Sequence, residues 1–201
     1  MVVLDLDFTL ICKDTFKAWV WFLLKKSILS FSLNQCGLIL YLMLCRFFKF
    51  TNHIDFKKKM MQLHISPKWH EAFVDKVIMH LNQQVVLHVQ ETITALGDPQ
   101  VVIATAAPCT YAQYFPKYLQ FKVDKVIGSF WDKKKFVNNE GETKQRNLEN
   151  STHSTCDVFY TDHYIDLPVM KNSKKTFLVN PSQATLSRVS SNHINFESLY
   201  V

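Results

Sequence analysis

Between Lys13 and Leu96 the sequence has a single glycine, Gly37, and a single proline, Pro67. So few chain breakers leave little place for turns, and the density of Leu, Phe, Met, Trp and Lys reads as consecutive helices. No CxxC pair occurs among the five scattered cysteines, Cys12, Cys36, Cys45, Cys109 and Cys156. That argues against a disulfide framework or a cysteine zinc site and points to reduced thiols in the cytoplasm. The chain opens on a strand carrying two acids, so no secretory leader is expected. The cleanest apolar run, Gly37 to Cys45, falls well short of the roughly 20 residues a bilayer span needs. No basic run is interleaved with aromatics along a groove-sized helix, which excludes nucleic acid as the expected partner. The formal net charge is nevertheless +6, with a pI near 9.0, and this favours anions such as phosphorylated metabolites or acidic lipid surfaces.

What is present starts at the first residues. Met1-Val2-Val3-Leu4 is a short apolar strand, and Asp5 and Asp7 follow at a spacing of two. On a strand with side-chain period two the carboxylates point the same way, at the carboxyl edge where open α/β sheets put their ligands. Two like charges so close raise each other's pKa unless a cation sits between them. The pair therefore asks for a metal, a phosphate-binding lysine or both, and its hard oxygens favour Mg²⁺.

The breaker-poor stretch divides into three helices. Asp14 and Thr15 offer an N-cap for a helix through Phe16, Trp19, Val20, Leu23 and Leu24. Ser32 and Asn34 mark a break before Leu38 to Phe48, and Ser66-Pro67 opens a third helix. Lys25-Lys26 before, Arg46, Lys49 and Lys57-Lys58-Lys59 after, and Trp19, Trp21, Phe47, Phe48 and Phe50 nearby suit an interfacial helix as well as an ordinary packed one. The lysine triplet reads as a solvated face, and His64, His70, His80 and His88 as surface residues without the spacing of a helical zinc site.

Strand and helix then alternate. Val101-Val102-Ile103 is a fully apolar strand ending near Thr105, a helix spans Tyr111 to Tyr118, and Val123 to Ile127 is a short strand. Ser129 to Asn138 is a hairpin, Lys144 enters a helix towards Leu148, and Cys156 to Tyr160 and Thr176 to Val179 are strands. This alternation implies a parallel sheet with helices on both faces.

Asp5-Leu6-Asp7-Phe8-Thr9-Leu10, Ile103-Ala104-Thr105, Lys144 and Asp162-His163-Tyr164-Ile165-Asp166 resemble, in that order, the four motifs of the haloacid dehalogenase-like hydrolases. Asp14-Thr15-Phe16, Ala107-Pro108 and Val179-Asn180-Pro181 look like the phosphoserine phosphatase-like branch. The resemblance implies an α/β fold: a Rossmann-like three-layer parallel sheet core, residues 1–12 and 97–201, with an all-helical cap (C1 type), residues 13–96, inserted after the first strand.

It also implies a Mg²⁺-dependent phosphatase acting on phosphomonoesters through an aspartyl-phosphate intermediate. Asp5 would be the nucleophile and Asp7 the general acid and base, with Thr105 and Lys144 holding the transferring phosphoryl group. Asp162, the Asp5 side chain and the Asp7 backbone carbonyl would hold the metal, supported by Asp166. Thr9, Ala106, Asp14 and Phe16 would meet the substrate, although Asp14 is equally well explained as a helix cap. Phe8 stands where glycine is commonest in the first motif, and Thr161, His163 and Ile165 depart from the usual fourth motif.

The expected partner is a small phosphorylated substrate, either a metabolite or a lipid head group. The resemblance extends to a lipid-directed branch that acts on phosphatidylglycerophosphate, and it implies as an alternative a similar lipid phosphate reached by peripheral contact with the inner face of the membrane, which would suit the basic, aromatic cap. A non-catalytic phosphate-binding relative is the third reading.

Overall fold

The computed structural model describes residues 1–152 and 155–201. Strand β1, Val2–Leu4, lies at the centre of the sheet because its three apolar residues can be covered on both faces. All three are wholly buried. Burial of each such side chain stabilises the fold by roughly 1.5–3 kcal/mol. β1 pairs in parallel with β2 (Val101–Pro108) on one side and β5 (Cys156–Thr161) on the other, Val2 facing both Val101 and Val158. Beyond β5 lie β6 (Ser173–Val179) and β7 (Phe196–Leu199), and beyond β2 lies β3 (Lys125–Asp132). β4 (Lys135–Val137) closes the edge as the one antiparallel partner among the described strands, giving the order β4-β3-β2-β1-β5-β6-β7.

The period of two sends Val2 and Leu4 into one core and Met1 and Val3 into the other. The first core receives the helices between β1 and β2: α1 (Thr15–Leu29), α2 (Leu33–Phe47), α3 (His53–Met60), α4 (Pro67–Val77) and α5 (Gln83–Ala95). Tyr111 and Ala112 of α6 (Cys109–Ala112) join them. The second core takes Leu148 of α7 (Glu142–Thr152), Val169 and Met170 of α8 (Leu167–Lys171) and Val189 of α9 (Gln183–Ser191). The result is the three-layer, mostly parallel α/β sheet expected. Chain order reverses at β1, so the crevice at the carboxyl ends of β1, β2 and β5 is the topological switch point where such sheets bind ligands.

Local chemistry explains the helix starts. The Asp14 side chain accepts the Lys17 N–H at 2.8 Å, Asn52 and Asn82 cap α3 and α5 in the same way, and Pro67 occupies the first turn of α4.

The structure departs from the sequence reading in several places. α3 and α5 are additional helices, and β7 follows β6. β2 runs three residues past Thr105 to Pro108, and β3 continues through Gly128 to Asp132 as one strand. The close approach of these strands requires Gly128, since a Cβ there would lie 2.6 Å from the Ala107 carbonyl oxygen. The helix expected over Tyr111 to Tyr118 is broken into α6 and a 3-10 turn, Phe115–Tyr118. Pro116 has no N–H to continue an α-helix.

His70 is also a correction, being buried and accepting the Trp19 indole N–H at 3.2 Å on Nδ1 while its ring stacks on the indole. His64 is exposed, and His80 and His88 are half-buried.

Burial pushes the His70 pKa down from 6.5 to about 4. Its native state is neutral, so the unfolded chain binds the extra proton between those values. The stability this group contributes is present above pH 6.5 and is lost as pH falls towards 4, by up to about 3 kcal/mol. Thermal denaturation at pH 7 and pH 5 should therefore show a steeper acid loss for the wild type than for His70→Gln. Equal slopes would contradict the assignment.

Candidate active site

Asp5 directly follows β1, and its N–H is held by the Tyr160 carbonyl of β5 at 2.9 Å. One carboxylate oxygen accepts the Leu6 N–H at 2.8 Å, and the other faces Lys144 Nζ at 3.3 Å. Lys144 lies in the first turn of α7, is wholly buried, and donates to Asp166 Oδ2 at 2.7 Å. Asp166 follows β5 through a short 3-10 turn. The same oxygen also receives the Thr161 hydroxyl at 2.8 Å, whereas its buried Oδ1 has no partner. Two carboxylates, Asp5 and Asp166, thus flank one buried ammonium, and Asp7 and Asp162 line the same cavity.

Burial raises the Asp5 pKa well above the usual carboxylate range, and Asp166, Asp162 and Asp7 add to the rise while Lys144 opposes it. Burial, reinforced by Asp166, likewise pushes Asp162 up to about 7. For Lys144, desolvation would lower the pKa, but the Asp166 and Asp5 charges outweigh it and hold the ammonium well above its ordinary value. The cluster has more negative charge than its own cations balance, which suits a divalent cation.

Among the described residues, no three His, Cys, Asp or Glu side chains form a closed metal cage. The donor set that the resemblance implies, the Asp5 and Asp162 carboxylates with the Asp7 backbone carbonyl, would not be such a cage. It leaves positions for water and a phosphate oxygen, as Mg²⁺ prefers. The residues fit that ion on these grounds: hard oxygens, surplus negative charge and the unpartnered Asp166 Oδ1.

Asp7 points elsewhere, its Oδ1 accepting the Thr15 N–H at 3.1 Å and the Thr15 hydroxyl at 2.5 Å. That hydroxyl is 2.9 Å from the buried Tyr111 hydroxyl. Burial raises the Asp7 pKa to about 6, against the pull of the two Thr15 hydrogen bonds. A carboxyl poised there can both give and take a proton near neutrality.

Asp5, Asp7, Phe8, Thr105, Ala106, Lys144, Asp162 and Asp166 line one cavity of about 250 Å³, with Glu140, His163 and Ile165. Phe8 adopts φ +55°, a left-handed conformation in which glycine would be unstrained. Thr9 is wholly buried and does not line the cavity, and its hydroxyl lacks a partner. Asp14 and Phe16 line a neighbouring chamber of about 440 Å³ with Trp21, Arg46, Phe47 and His53.

The sequence reading missed Lys57, which is buried and reaches from α3 to the Ala106 carbonyl at 3.1 Å and Asn138 Oδ1 at 2.9 Å. Ser129 donates to the same carbonyl at 2.6 Å, and buried Asn139 donates to the Thr105 carbonyl at 3.0 Å. These contacts fix the backbone at the end of β2. The signal was available in the spacing: Phe56, Lys57 and Met60 form the inward stripe of α3, with Lys58 and Lys59 outside.

Fold and site together define an α/β enzyme centred on a buried carboxylate pair braced by a lysine at the sheet's switch point. The chain belongs to the haloacid dehalogenase-like hydrolase family, whose model matches residues 2–171. A solved protein of unknown function from Bordetella pertussis Tohama I is similar at 18% identity and TM-score 0.77, over 100% of this chain and 98% of that one. A phosphoserine phosphohydrolase-like protein from Francisella tularensis is 16% identical, TM-score 0.57, over 98% and 94% of the two chains. A predicted phosphatase from Clostridium acetobutylicum is 18% identical, TM-score 0.57, over 99% and 93%. At these identities the likeness is one of fold. No curated protein matches the chain.

Proposed function

We propose that the protein is a Mg²⁺-dependent phosphomonoesterase working through an aspartyl phosphate on Asp5. The observation that carries this reading is the buried Asp5–Lys144–Asp166 chain opening on the same cavity as Asp7, Thr105 and Asp162. Residues 1–12 and 97–201 would form the catalytic core, and residues 13–96 a helical cap that selects the leaving group.

An Asp5 carboxylate oxygen attacks phosphorus as the bond to the leaving oxygen breaks, and Asp7 protonates that oxygen. Asp7, now a carboxylate, takes a proton from water. The water oxygen attacks the phosphorus and releases inorganic phosphate with Asp5 regenerated. Thr105 and Lys144 hold the phosphoryl oxygens, and Lys144 also favours the ionised form of Asp5. Mg²⁺, held by Asp5, Asp162 and the Asp7 carbonyl, would neutralise charge on the phosphoryl oxygens.

The test is phosphate release by the purified protein across soluble and lipid phosphomonoesters, with Mg²⁺ or chelator. Metal-dependent turnover is expected. Binding of phosphate without turnover on any member would instead support a non-catalytic phosphate-binding protein.

A second reading, a phosphatase for a lipid phosphate, is favoured by the chamber beside the site. Phe16, Val20, Trp21, Met43, Phe47 and Phe56 make most of its wall apolar, with Lys17 and Arg46 as its cations. The substrate panel separates the two readings.

Lys57 yields a further prediction, because it holds the Ala106 carbonyl and, by its charge, lowers the Asp7 pKa. Lys57→Met should reduce kcat/KM by roughly tenfold to a hundredfold, the worth of one or two hydrogen bonds from a charged group. Unchanged kinetics would remove Lys57 from the site.

A further inference from the structure

We propose that α2, with the turn before it and the segment after it, is a docking surface for an anionic lipid bilayer. Only one face of α2 is covered by the rest of the protein. Ile39 and Leu42 are its buried residues, while Leu33, Gly37, Leu40, Tyr41, Leu44, Phe47 and Phe48 recur at helical spacing along the opposite side and are exposed. That outward stripe has no charged member. A helix apolar on the side away from its own core needs something apolar to cover it.

Both ends of the helix continue the pattern. Phe31 is 87% exposed in the turn before α2, and Phe50 is 79% exposed after it. Phe47, Phe48 and Phe50 form a chain of ring contacts, with centroids 5.2 and 6.2 Å apart, so the apolar tip is already assembled before any partner arrives.

Charge decides what covers this surface. From Lys17 through Ile54 the sequence contains no Asp or Glu, while Lys17, Lys25, Lys26, Arg46 and Lys49 are all basic. Leu29, two residues before Phe31, lines a cavity of about 460 Å³ between α1 and α4. Lys13, Lys25, Lys26 and Lys76 also line it, with no carboxylate. Apolar residues flanked by cations alone complement acidic headgroups over hydrocarbon. A second copy of this chain would bring the same uncompensated cations against them. At 15 residues α2 is about 22 Å long, and no helix among the described residues is long and apolar enough to cross a membrane. The helix would therefore lie in the interface plane. Met43, Arg46 and Phe47 of this helix also line the chamber that holds Asp14 and Phe16.

The docking proposal does not rest on phosphatase activity, and its test needs none. The purified 201-residue chain is sedimented with vesicles of phosphatidylcholine alone or mixed with phosphatidylglycerol. Binding to the mixed vesicles is expected, weaker on the order of tenfold without the anionic lipid. It should also weaken when ionic strength rises from about 0.1 M to about 1 M, which cuts the screening length from about 10 Å to about 3 Å. Combined Phe31→Ser, Leu33→Ser, Phe48→Ser and Phe50→Ser should abolish binding with an unchanged thermal transition, since all four side chains are exposed. Lys25→Glu with Lys49→Glu reports the charge contribution independently of those four positions and should lower affinity for the mixed vesicles. No binding to either vesicle, or binding that both variants retain, would overturn the proposal. So would a dimer in light scattering that the serine substitutions dissolve, because that would assign the face to a second copy.

Discussion

Asp5→Asn is expected to lower metal-dependent phosphate release on the order of 10⁴-fold or more while leaving the protein folded and its thermal midpoint equal or higher. The loss follows from removing the attacking oxygen, since knocking out a nucleophile leaves only what the remaining site supplies by binding and polarisation. The stability half follows from the sign of the pKa shift. Burial and three neighbouring carboxylates raise the Asp5 pKa above its unfolded value, so at neutral pH the ionised group is disfavoured in the metal-free folded state. An amide of the same shape removes that cost, and Lys144 keeps its 2.7 Å partner Asp166. Steady-state kinetics and thermal denaturation without metal test the two halves separately. A large drop in midpoint would mean that Asp5 is structural.

Lys144→Met reverses this pattern. Lys144 is the buried cation between Asp5 at 3.3 Å and Asp166 at 2.7 Å, and its removal leaves both carboxylates unpaired in the interior. Breaking a buried pair in this way costs about 3–5 kcal/mol, which in a chain of this size lowers the thermal midpoint by roughly 10 °C. Phosphate release should fall at least about a hundredfold as well, because a preorganised positive charge on the transferring oxygens is lost. Adding Asp166→Asn to Lys144→Met should recover part of the stability and none of the activity. Stability unaffected by Lys144→Met would show that the ammonium is not the brace of this site.

The contrast explains how much was legible beforehand. Asp5, Asp7, Lys144 and Asp162, which line one cavity with Thr105, were prominent in the sequence because each sits just past the end of a strand or in the first turn of a helix, whereas Thr105 lies three residues inside the end of β2. Their surroundings are local and periodic. The central position of β1 was legible for the same reason, as a run of apolar residues ending in acids.

Lys57 was not legible in the same way, because three adjacent lysines look alike until the helix phase is known. His70 looked like a surface residue because its partner Trp19 lies 51 positions away in the chain. The break at Pro116 was written in the sequence but outweighed by the apolar spacing around it. The sheet gains β7 from a segment, Phe196–Leu199, whose exposed Glu197 and short length gave little strand signal. In sequence α2 suits an interfacial helix as well as an ordinary packed one, and which of its faces is exposed follows only from what the other helices leave uncovered.

The measurement that tests the central claim most directly is acid quenching of the enzyme during turnover with Mg²⁺, followed by peptide mass analysis. A phosphoryl group on the peptide containing Asp5, lost on mild base treatment and missing from Asp5→Asn, is the predicted result. Turnover with no phosphorylated enzyme at any time, or with the group on another residue, would contradict it.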